Sequence, residues 1–157
     1  MSISNKSSIQ DERSEAVRCY SVASDLMIAV GHSNRVAGAI LSLLTSRMDF
    51  DNECEITIKE LYKFVGRKNP ATITKALNIL RLTNLVEIKH KNRIGSTLFR
   101  VNGRAFSRDT DDAETNGNIF RGELDDSLVG EYWLIDKTAI RDYRVNPARK
   151  VKNGGAV

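Results

Sequence analysis

Between Thr57 and Asn102 the chain carries a run of local signals that leaves little freedom in how it folds. Thr57-Ile58-Lys59-Glu60 has the spacing of a capping box, a hydroxyl at the cap and a carboxylate three residues on. Leu61, Phe64 and Val65 continue a helical pattern, and Gly66 stands where a left-handed residue would end it. Arg67-Lys68-Asn69 leaves room only for a tight turn. Asn69 can cap a second helix, and Pro70 at its first position has the right φ and wastes no donor. The pattern predicts this helix over 70–82, with Thr83-Asn84 ending it. Leu85 to Lys91 and Thr97 to Asn102 hold alternating and β-branched residues. With Gly95 in the turn between them they predict a two-stranded hairpin with a basic tip.

The rest of the chain is read around this stretch. Residues 1–14 are polar and are expected to be disordered. Glu15 to Val30 has apolar positions at Val17, Cys19, Tyr20, Val22, Ala23, Leu26, Met27 and Val30, which predicts an extra N-terminal helix ending near Gly31. Ser33 or Asn34 caps a helix to about Arg47, with Val36, Ala37, Ile40, Leu43 and Leu44 on one face. A polar turn follows over 49–53, then a short strand over 55–57. Residues 109–131 read as an acidic linker, with Ile119-Phe120 as its one docking patch. Residues 132–157 read as an apolar anchor, Tyr132-Trp133-Leu134-Ile135, followed by a basic tail.

Charge is segregated in the same way. Residues 57–108 carry 12 Lys and Arg against 2 Asp and Glu, whereas residues 109–136 carry 1 against 9. A basic block that coincides with helix and strand patterning points to nucleic acid. Helix, turn, helix and hairpin is the order of a winged helix-turn-helix, here within an α+β, mostly helical domain over 15–108 whose core is 34–106. The helix over 70–82 divides into two faces. Ile73, Ala76, Leu77 and Leu80 seat it on the domain. At about 100° per residue, Ala71, Lys75 and Asn78 point the other way, flanked by Thr72 and Thr74. Lys75 suits guanine acceptors or a phosphate, Asn78 suits adenine edges, and the threonines suit phosphate or a thymine methyl. Arg67, Lys68 and Asn69 stand at the helix N-terminus, where phosphate is favoured. In the wing, Lys89, Lys91, Asn92 and Arg93 are candidates to grip backbone or minor groove, and Arg100 adds to the charge.

The stretches Ile58 to Gly66, Pro70 to Leu80 and Asn84 to Val86 resemble the winged-helix core of plasmid replication proteins of the Firmicute RepL type. They are also similar to MarR-like regulators and to plasmid-partition proteins that bind centromeres. The resemblance covers about residues 34–106. It implies a three-helix winged domain, double-stranded DNA as partner and a task in replication, transcription or segregation.

Other functions find less support. His32 and His90 are the only histidines, and neither has neighbours that would make it a base. Asp109-Thr110-Asp111-Asp112 begins like a calcium loop but lacks the glycine and the distal glutamate. Nothing in the sequence surrounds Tyr20 with carboxylates, as DNA cleavage would need. An enzyme is therefore not expected, nor a metal or cofactor. Cys19 and Cys54 read as reduced thiols, which with the lack of a secretory or membrane-spanning run makes a cytoplasmic protein the expectation. The N-terminal helix is the candidate element for a homodimer, the alternative being that it packs on its own core. The C-terminal segment is the candidate contact for a protein partner. The rival to DNA binding is a winged-helix module that binds only proteins.

Overall fold

In the computed structural model, residues 16–66, 69–91, 95–108 and 119–135 are described. The expected disorder of 1–14, residues 109–118 of the acidic linker and the whole of the basic tail lie outside them. The first strand, β1 (Arg18–Cys19), pairs antiparallel with β5 (Phe106–Ser107). A single 3-10 turn, Ser21–Ala23, leads into α1 (Ser24–Ser33). The N-terminal helix is thus shorter than the apolar spacing suggested. Val17 and Val22 disfavour helix through their branched side chains. The Tyr20 N–H also has a long-range partner, donating to Ala105 O at 2.9 Å. Tertiary pairing decides where local propensity is divided.

Gly31 does not end α1. An added Cβ on Gly38 would meet Gly31 Cα at 3.4 Å, so the two glycines mark where α1 and α2 (Arg35–Arg47) pass closely. Asn34, in extended conformation, closes α1 and opens α2, its Oδ1 accepting from Ala37 N at 2.9 Å. α2 buries Ala37, Ile40, Leu41, Leu43 and Leu44. These join Leu26, Ala29 and Val30 of α1 in the main core.

β2 (Glu53–Thr57) begins two residues earlier than expected. The turn before it is set by Asp49, whose side chain accepts from the backbone of Asp51 and Glu53. α3 (Ile58–Val65) carries the full capping box: Glu60 N donates to Thr57 Oγ1 at 3.1 Å, and Thr57 N donates to Glu60 Oε2 at 2.8 Å. Gly66 closes it at φ 68°. α4 (Pro70–Leu82) starts at Asn69, whose Oδ1 accepts from Ala71 N at 3.0 Å.

β3 (Val86–Lys91) and β4 (Ser96–Val101) form the hairpin, and β2 adds to the other edge of β4, giving an antiparallel sheet of order β2-β4-β3. Cys54, Ile56, Val86, Phe99 and Val101 turn inward and are buried. On the outer face the register sets Arg100 opposite both Glu53 and Glu87, and it forms ion pairs with each, at 3.4 and 3.2 Å. The described residues therefore make an α+β body of four α-helices and two small antiparallel sheets. No helix among them is long and apolar enough to cross a membrane.

Residues 119–135 lie against this body. They contain two more 3-10 turns, Asp126–Leu128 and Glu131–Trp133, and an isolated bridge between Val129 and Ile135. Ile135 is buried, and its N–H donates to Ser33 Oγ at 2.7 Å. Residues 119–131, the described part of the acidic linker with its Ile119-Phe120 patch, have main chain bonded to the domain.

Candidate nucleic-acid interface

The geometry of α4 follows from its two ends and its buried side. Asn69 and Pro70 fix the start, so the side chains downstream take a determined rotation. Ile73, Ala76 and Leu80 are buried as their spacing requires, and Leu77 packs partly against them. Ile79 and Leu82 are buried as well, which widens the seated arc beyond the expected four residues. Ala71, Thr74 and Lys75 are exposed, while Thr72 and Asn78 are half-buried. Lys75 makes no ion pair or side-chain hydrogen bond among the described residues.

One residue of this surface is absent from the sequence reading. Arg81 is exposed and follows Thr74 by seven residues and Asn78 by three, which carries the polar stripe to the last turn. The spacing alone was enough to find it. Asn69 is exposed at the head of the helix. Arg67 and Lys68 lie outside the described residues.

The hairpin beside α4 is irregular. Lys89 pairs with Leu98 and Lys91 with Thr97, so the strand bulges between them. A bulge adds twist and bends the strand. Lys89 is exposed. Asn92 and Arg93 lie outside the described residues, as do the side chains of His90 and Lys91. At the tip end of β4, Ser96 Oγ donates to Glu55 Oε1.

Not all of the basic block belongs to one surface. Arg100, counted in sequence with the wing cations, is engaged by Glu53 and Glu87. Arg104 Nε donates to Arg121 O at 3.0 Å. Arg108 donates to Met48 O, and through its second nitrogen to Ser46 O at 3.2 Å, tying the C-terminal end of α2 to the region of β5. These three guanidiniums are structural ties. Arg104 is itself exposed, and Lys59, Lys63, Lys75, Arg81 and Lys89 are the other exposed cations of this region among the described residues.

The thiols differ. Cys19 is exposed and its Sγ lies 3.4 Å from Met27 Sδ, whereas Cys54 is buried and burial pushes its pKa up to about 11. Both are free. Among the described residues no group of three or more His, Cys, Asp or Glu is placed to hold a metal. Comparison of the chain with family models, curated proteins and solved structures finds no match.

Proposed function

We propose that this protein binds double-stranded DNA as a winged helix-turn-helix, with α4 reading the major groove and the β3–β4 hairpin as the wing. The observation that carries the reading is the exposed stripe Ala71, Thr74, Lys75 and Arg81 on a helix whose opposite side is buried. Only four residues separate that helix from the end of α3, and it is followed by a hairpin bearing exposed Lys89. A groove-reading helix requires that division: an apolar side to hold it and small, polar and basic side chains to approach the bases. The best-fitting task is regulation of replication or transcription on a plasmid or phage, in the cytoplasm, with no catalytic step. The protein is proposed to act as a homodimer on paired half-sites, through α1.

The test is a salt titration of duplex binding, using a duplex enriched from a random pool. The logarithm of affinity should fall linearly with the logarithm of salt, and Lys75→Ala or Lys89→Ala should each reduce the slope by about one. Affinity that ignores both substitutions at moderate salt would rule the reading out.

A further inference from the structure

The corner where α4 passes into the hairpin is held by a segment more than fifteen residues further along the chain. Four consecutive carbonyls, those of Phe120, Arg121, Gly122 and Glu123, each accept a hydrogen bond from the body. The donors are Gly103 N at 2.7 Å, Arg104 Nε at 3.0 Å, Asn102 Nδ2 at 2.6 Å and Asn84 Nδ2 at 2.7 Å. Asp125 N donates in return to Thr83 O at 3.2 Å. Thr83 and Asn84 are the first residues after α4, and Asn102 is the first after β4. The segment thus bonds to both arms of the corner at once.

Asn102 stands at the centre. It is fully buried and its amide is fully used. Nδ2 donates to Asn84 O at 2.8 Å as well as to Gly122 O, and Oδ1 accepts from Arg104 N at 2.9 Å. Its own N–H donates to Leu85 O at 2.9 Å. Close packing completes the fit: a Cβ on Gly103 would lie 2.5 Å from Ile119 Cγ2.

We propose that residues 119–125 are a strap that fixes the angle between α4 and the hairpin, with Asn102 as its positioning residue. The part of this that concerns DNA rests on the reading above. A helix and a wing that touch one duplex must keep a set separation, and a mobile corner would weaken paired contacts more than single ones. The strap would then supply selectivity and leave general phosphate attraction alone.

Two substitutions probe it. Asn84 sits at φ 58°, which glycine adopts without strain, so Asn84→Gly removes the bond to Glu123 O and spares the backbone. Gly103→Ala forces the strap away through the contact with Ile119. The first measurement needs no DNA. Spin labels at Ala71→Cys and Lys89→Cys, in a Cys19→Ser background with the buried Cys54 left in place, report the distance from α4 to the hairpin. A single narrow distribution is expected, broadened by Gly103→Ala and to a lesser degree by Asn84→Gly. Distributions that stay the same in both overturn the proposal.

The second measurement compares a selected duplex with a random one. Asn84→Gly should lower the preference between them by about fivefold, the worth of one net hydrogen bond, with random-duplex affinity unchanged. A purely structural role would lower the melting temperature and leave the ratio as it was. If the label distances respond but the unsubstituted protein binds no duplex, the strap stands and the DNA reading falls. If the protein binds duplex and neither distance nor preference moves, the DNA reading stands and the strap falls.

Discussion

Glu60 shows how much a single exposed side chain can do when its geometry is right. Its carboxylate accepts from Thr57 N and from Thr57 Oγ1, at 2.8 and 3.0 Å. The backbone hydrogen bond first, and then the hydroxyl, hold its pKa below the usual carboxylate value. A depressed pKa means that the folded protein favours the charged form. The contribution is therefore present above the unfolded pKa, about 4.3, and is lost as pH falls through the lower folded value. Melting temperatures of the protein and of Glu60→Ala should differ at pH 6 and converge as the pH drops well below 4. A gap that persists at the lowest pH would mean that the box does not act through the carboxylate charge. Arg100 shows the opposite lesson. Its charge looked available in sequence, but it lies between Glu53 and Glu87 on the two flanking strands, where partly exposed ion pairs contribute about 1 kcal/mol or less each.

Single elements of this protein are set mainly by their ends. α3 stops at Gly66 and α4 starts from Asn69, each end set by its own cap. Gly66 is at φ 68° and a Cβ there would meet nothing within 4 Å. The cost of Gly66→Ala is then conformational alone, about 1–2 kcal/mol, with no clash to add to it. Chemical denaturation should show that loss with an unchanged slope against denaturant. A neutral substitution would mean that the turn relaxes without cost. The sequence made this part of the fold legible, because caps act over three or four residues and leave their chemistry in the side chains. β1 and β5 were not legible. Two-residue strands carry no period, and Arg18 pairs with Ser107 across almost the whole domain.

At the scale of the molecule, the described residues leave apolar side chains outward near α1. Ile28 is 47% exposed and Trp133 52%. The Trp133 indole donates to Asp25 Oδ1 at 3.3 Å, one helical turn before Ile28, so the two belong to one neighbourhood. α1 spends Leu26, Ala29 and Val30 on its own core, and Ile28 is what remains for a second copy. If α1 carries the proposed dimer, Ile28→Asp should convert it to a monomer in light-scattering chromatography, with little change in melting of the isolated chain. A mass that is the same with and without the substitution would remove α1 from that role.

The division between sequence and structure runs along the range of the forces involved. The sequence by itself determined the two capped helices, the hairpin and the split of α4 into a seated side and an open side. These depend on neighbours within a turn or two, and periodicity records them. Only the tertiary structure decided which basic residues stay open to a partner, since Arg100 and Arg108 find their acceptors in other elements. It also decided that part of an acidic, spacer-like segment is bound to the body. That attachment runs through the carbonyls of residues 120–123, which every sequence possesses alike. On the segment's own side these contacts are main chain, so beyond the Ile119-Phe120 patch its side chains do not record them, and nothing local in the sequence pairs the donors Asn84, Asn102 and Arg104 with it.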